Sequence, residues 1–176
     1  VKVAQNGWGT LVFHADADGA THLRLIERGG TVAGYLSADG KTWRQVGAHG
    51  LKLGDEPLVG LFSAGHAQTF NRPTACRWLD PTAPAPPMIT TGRSRPNSRT
   101  GKYTAPVKLT ILPADEKMAV YYTLDGSAPT PHSPTYTEPI TLDTAGEHTV
   151  RVVTYLDGQP AGATSAIYSL VEPKKK

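Results

Sequence analysis

The chain has 176 residues, enough for one or two ordinary domains. Its 18 glycines and 15 prolines favour turns without reaching low-complexity disorder, and 39% hydrophobic residues can fill small cores. The formal net charge is +3 and the sequence closes on Lys174, Lys175 and Lys176, so the basic balance is a tail effect. It is not the gathered basic face that nucleic acid requires.

No stretch approaches the run of ~20 apolar residues that spans a bilayer. The sequence opens at Val1 without an initiator Met or a signal-peptide pattern, as expected of a processed or trimmed polypeptide. Cys76 is the single cysteine, so no intrachain disulfide forms and stability must come from packing. Its apolar surroundings in TACRWLD predict a buried, inert thiol.

Short β-like runs alternate with turn signals from the start. Residues 11–13 (LVF) are followed by the turn DADG at 16–19. Residues 22–27 (HLRLIE) place Leu23 and Leu25 on one face and Arg24 on the other. Gly29-Gly30 is a two-residue hairpin signal leading into 31–37 (TVAGYLS). Asp39-Gly40 is a second, followed by 41–46 (KTWRQV). A polar loop leads to 58–63 (LVGLFS), and 75–79 (ACRWL) closes a meander of about six strands with no helical period.

Residues 80–88 (DPTAPAPPM) hold Pro81, Pro84, Pro86 and Pro87, which fix φ and remove backbone donors. They predict an extended, semi-rigid spacer between two modules. After it come 88–89 (MI), a polar stretch, 107–112 (VKLTIL), 118–124 (MAVYYTL), 140–142 (ITL), 148–155 (HTVRVVTY) and 165–170 (SAIYSL). Six or seven strands in about ninety residues is the count of an immunoglobulin-like sandwich.

The stretch HLRLIERGGTVAGYLSADGKTWRQVG, with the later PLVGLFSAG, resembles the second half of a concanavalin A-like (laminin G-like) domain. The likeness covers roughly residues 20–80. It implies a partial jelly-roll sandwich lacking most of its first half, with an apolar sheet face and open edges left to be covered. The stretch GKYTAPVKLTILPADEKMAVYYTLDGSAPTPHSPTYTEPITL, continuing to HTVRVVTYLDGQPAGATSAIYSL, resembles the chitobiase/β-hexosaminidase C-terminal domain, with YYTLDGSAPT its most specific element. Within that element Tyr121 and Tyr122 point to opposite faces, Asp125-Gly126 turns the chain and Pro129 stiffens the exit. The expected fold is therefore all-β. A partial concanavalin A-like jelly-roll sandwich (1–80) and a Pro-rich linker (81–87) precede an immunoglobulin/fibronectin III-like sandwich (88–172) and a basic tail (173–176).

Residues that could carry chemistry are few. Asp16, Asp18 and Glu27 have the wrong glycine placement for a calcium loop and predict a hairpin turn. His14, His22, His49, His66, His132 and His148 include no pair at metal-site spacing. Asp39, Asp125 and Asp157 precede glycines and are explained by turn chemistry, and Asp55-Glu56 lies in a polar loop. No pair of carboxylates is positioned for glycoside hydrolysis. Ser63 and Ser127 lack a nucleophile's strand–elbow–helix context. No catalytic residue, metal site or cofactor is predicted.

Two sets remain as candidate binding residues. Tyr35 and Trp43 flank a hairpin and could share a face on which a sugar ring stacks, against core packing as the default for each. Trp8 and Trp78 lie in the same module, while Tyr103, Tyr122 and Tyr168 read as core. Arg93, Arg95, Arg99 and Lys102, with no acid among them, could meet an anionic partner or remain a solvated loop.

The chitobiase-type resemblance implies a non-catalytic accessory region of a larger extracellular, cell-surface or periplasmic protein, which spaces, docks or weakly binds glycan. The alternative is an assembly subunit whose incomplete sandwich another chain completes by strand addition. Expected partners are other domains or chains of the same assembly and a glycan, with no nucleic acid and no membrane span.

Overall fold

The computed structural model describes residues 2–5, 8–11, 19–50, 85–92 and 101–173. The expected strands at 58–63 and 75–79, together with Cys76 and Trp78, lie outside the described residues.

Every regular element described is a strand. β1 (Lys2–Gln5) and β2 (Trp8–Leu11) form a separate antiparallel pair. β3 (His22–Arg28), β4 (Thr31–Ser37) and β5 (Trp43–Gly50) form a meander. Gly29 and Gly30, both at positive φ, connect Arg28 to its partner Thr31 in the left-handed conformation a two-residue hairpin needs. Then follow β6 (Met88–Thr90), β7 (Tyr103–Thr104), β8 (Val107–Leu112), β9 (Ala119–Thr123), β10 (Ile140–Leu142), β11 (Gly146–Leu156) and β12 (Gln159–Val171).

Two sheets share the core. β10, β8 and β6 form the smaller one, and the larger runs β3-β4-β5-β12-β11-β9, with β7 also on β12. Alternation decides which residues face inward. Val107, Leu109 and Ile111 of β8 meet Val150 and Val152 of β11 and Ala166, Tyr168 and Leu170 of β12, with Ile89, Val120 and Leu142 completing the cluster. Full burial of each such aliphatic side chain stabilises by about 1.5–3 kcal/mol. This is sandwich-type packing, built by the strands expected from residue 88 onward. β11 and β12 extend beyond their expected bounds because the Asp157-Gly158 turn joins them as one long hairpin, in which Leu156 faces Gln159.

The larger sheet is mixed. β5 pairs with β12 in parallel, Trp43 opposite Thr164 and Arg44 opposite Ser165. The upstream meander thereby continues the sheet of the downstream sandwich. A second apolar cluster joins them: Ala33 and Tyr35 of β4, Trp43 of β5 and Met88 of β6, with Ile26, Ala48 and Leu112 packed against it.

The spacer expected at 81–87 is packed over its described part. Pro86 and Pro87 are fully buried. Proline has no N–H to satisfy, so its ring can be buried at little polar cost. The one polar group that Pro87 brings, its carbonyl, accepts a hydrogen bond from the Tyr35 hydroxyl at 3.3 Å. Gly162 of β12 leaves room for this segment: a Cβ there would lie 3.2 Å from the Ala85 carbonyl oxygen.

Candidate functional site

The most constrained place in the described residues is the seam between the meander and the sandwich. Gln45 shares its parity with Trp43, so strand alternation turns it inward. Its buried side-chain amide donates to the Ile89 carbonyl and accepts from the Ile89 N–H at 2.8 Å. One side chain thus does what a neighbouring strand would do for the free edge of β6. Thr164 Oγ1 adds a bond to the Trp43 carbonyl at 3.4 Å, and Arg28 donates to the Leu112 carbonyl at 2.6 Å.

The expected sugar-stacking residues belong to this seam. Tyr35 is 0% exposed and Trp43 8% exposed, and both sit in the second core cluster. They do share a face, but it is the inner one, so neither ring offers a plane to a ligand from solvent. The Arg24 guanidinium stands 5.5 Å from the centre of the Trp43 ring, a cation–π contact. Burial raises the Tyr35 hydroxyl pKa, opposed in part by Arg28 and Arg24. Burial likewise lowers that of Arg24. Among the described residues Trp43 Nε1 is the one buried side-chain polar atom without a hydrogen-bond partner. Of the expected anion-contacting residues, Arg93, Arg95 and Arg99 lie outside the described residues, and Lys102 is exposed just before β7.

The carboxylates expected in turns are in turns. The Asp39 carboxylate accepts from the Lys41 and Thr42 N–H groups, each at 2.8 Å, and from the Ser37 hydroxyl at 2.9 Å. These bonds hold its pKa well below the usual carboxylate range, the Thr42 and Lys41 amides acting most strongly. Asp125 accepts from the hydroxyl and N–H of Ser127, at 2.6 and 2.9 Å, and its pKa is lowered by both. Glu27 closes the glycine hairpin through the Gly30 N–H at 2.8 Å. Its partners in the weighed calcium loop, Asp16 and Asp18, lie outside the described residues. His148 bonds the Thr144 carbonyl oxygen at 2.8 Å, and no group of three or more His, Cys, Asp or Glu among the described residues could hold a metal. No helix among them is long and apolar enough to cross a membrane.

A half-open cavity of about 60 Å³ lies beyond the two residue pairs that join β5 to β12, lined by Gln45, Val46, Gly47, Ile89, Tyr103 and Tyr168 among others. It is roomy enough to hold water.

The outer face of the larger sheet carries exposed apolar side chains. Register places Leu23, Leu36, Arg44, Ser165, Arg151 and Thr123 in one row across it. Leu23 (42% exposed), Leu25 (40%) and Ile167 (56%) all lie on this face. Tyr121 of β9 and Tyr155 of β11 also project from it, in an edge-to-face contact at 5.7 Å.

The edges at β9, β6 and β3, by contrast, are protected. Residues 134–136 cover β9 through Tyr122 N–H to the Pro134 carbonyl and Tyr136 N–H to the Val120 carbonyl. Gln45 covers β6. β3 turns two charges, Arg24 and Arg28, toward the inner face, a common device against edge-to-edge pairing.

Sequence reasoning missed Gln45 and the buried prolines. The available signal was a glutamine at an inward position of KTWRQV, a polar group that burial obliges to find partners.

Residues 98–169 match the family model of the chitobiase/beta-hexosaminidase C-terminal domain. The match runs from just before β7 into β12 and includes the YYTLDGSAPT element. That domain is a non-catalytic module. Comparison with curated proteins and with solved structures gives no match.

Proposed function

We propose that this chain is a rigid, non-catalytic accessory region of a larger extracellular, cell-surface or periplasmic carbohydrate-active or surface protein, acting as a spacer and docking element. The observation that carries this reading is the seam. An upstream meander is joined to the chitobiase-type sandwich by a shared sheet, a shared apolar cluster and the two-way Gln45–Ile89 clamp. An independent binding module on a flexible tether needs no such weld. A rigid spacer does, because it must fix the orientation of what it connects. Backbone ¹⁵N relaxation on the full chain tests this: β3–β5 and β8–β12 should report one rotational correlation time. Two distinct times, or turnover of chromogenic glycosides by the purified chain, would overturn it.

A second reading has one observation in its favour. Leu23 and Leu25 are exposed on an outer strand of the sheet, as an assembly subunit completed by another chain would present them. The inward arginines of β3 weigh against completion at that edge and favour contact through the sheet face.

A further inference from the structure

Resting on the accessory reading, we propose that the outer face of β9 and β11 carries a carbohydrate subsite built on Tyr121 and Tyr155, whose ligand is a pyranose ring of a polysaccharide chain. Register brings the two tyrosines together. Tyr121 pairs with Val153 and Tyr155 with Ala119, so they are diagonal neighbours on one face. Their rings meet at 85° with centres 5.7 Å apart, and both are half-buried. The apolar core does not call on them: Tyr122, of opposite parity, is the β9 tyrosine packed against it.

Three features fit a sugar. First, Ala119, directly opposite Tyr155, and the nearby Ala163 are small and exposed, so the Tyr155 side of the pair is open, while Tyr121 is flanked by Val153 and Thr135. Second, the register between β11 and β12 shifts between Thr154 and Tyr155, a bulge of the kind that re-aims a side chain. Third, the next pair along is Arg151 opposite Thr123; the Thr123 hydroxyl donates to the Ser127 carbonyl at 2.6 Å, and the Arg151 guanidinium is the hydrogen-bonding group set beside the aromatic ones. A pyranose has this mixed character, with C–H groups for a ring and hydroxyls for polar neighbours. A large protein partner calls for a wider apolar patch. The exposed leucines that would extend one are on β3, five strand spacings or about 24 Å from β9, and Ile167 of β12 lies opposite Thr149, four residues or about 13 Å along β11 from Val153, the partner of Tyr121.

The test is retention of the full 176-residue chain on insoluble cellulose, chitin and xylan, measured as depletion isotherms. The chain should bind at least one of the three. Tyr121→Leu and Tyr155→Leu keep apolar packing but remove the aromatic face, and each should weaken binding about five- to tenfold. Tyr121→Phe and Tyr155→Phe should retain most of it. No retention on any of the three, or leucine variants that bind as the parent does, would overturn the proposal. The relaxation experiment above is indifferent to this outcome, so a lost subsite and a lost rigid spacer are read separately.

Discussion

Replacing Gln45 by Ala removes both halves of the clamp on β6. The Ile89 N–H and carbonyl then lose their side-chain partner at a buried position, Gln45 being 5% exposed, and the half-open cavity that Gln45 and Ile89 line is the route by which water could reach them. A buried backbone group left unsatisfied costs about 1–3 kcal/mol, so the two together cost about 2–6 kcal/mol. Equilibrium urea unfolding is the assay: the midpoint should fall with the slope unchanged. Gln45→Glu separates polarity from packing. Only the protonated carboxyl can both donate to the Ile89 carbonyl and accept from its N–H. Burial raises the folded-state pKa of that glutamate above its unfolded value, so its contribution is fully present below about pH 4 and is lost as pH rises through the folded pKa. Stability measured relative to the parent at each pH should therefore be highest in acid. A loss below about 0.5 kcal/mol for Gln45→Ala, small beside the expected desolvation penalty, would refute the clamp, as would a Gln45→Glu variant without pH dependence.

Other perturbations probe the turns and the seam. Asp39 and Asp125 have lowered folded-state pKa values, so their stabilisation is present above the ordinary carboxylate pKa and is lost as pH falls through the folded one. Melting temperature should drop on acidification below about pH 4, and Asp39→Asn, which keeps an acceptor but cannot titrate, should make that drop shallower. Gly126→Ala places a Cβ 3.2 Å from Thr149 Cβ at a φ of +81° and should cost more than about 1 kcal/mol in chemical unfolding. Gly162→Ala pushes on the Ala85 carbonyl and Thr154 Oγ1, at 3.2 and 3.3 Å, and should cost about 1–3 kcal/mol by the same assay. Tyr35→Phe deletes only the bond to Pro87 and should cost about 0.5–1.5 kcal/mol.

The strands were legible in the sequence wherever alternation was clean. VKLTIL reads as β8 because Val107, Leu109 and Ile111 alternate with polar neighbours and are in fact buried. The glycine hairpin and the aspartate turns were legible because few residues adopt those conformations. The parallel pairing of β5 with β12 was not. It joins residues 121 positions apart in the Thr164–Trp43 bond, and no local pattern encodes which edge meets which. Pro86 and Pro87 misled because the donor they lack signals a break in a ladder, while their apolar rings are equally suited to burial. Tyr35 and Trp43 were correctly placed on one face, but alternation cannot say which of a sheet's two faces is covered. The same ambiguity hid the outward pair, Tyr121 and Tyr155, whose meeting depends on the register between β9 and β11.

The central claim is that the meander and the sandwich form one cooperative unit. Native-state hydrogen exchange across a urea series tests it most directly, comparing the β4 amides of Ala33 and Tyr35 with the β11 amides of Val150 and Val152. One unit predicts that both sets converge on the same opening free energy. Exchange of the β4 amides through a lower-energy opening, while β11 stays protected, would contradict it.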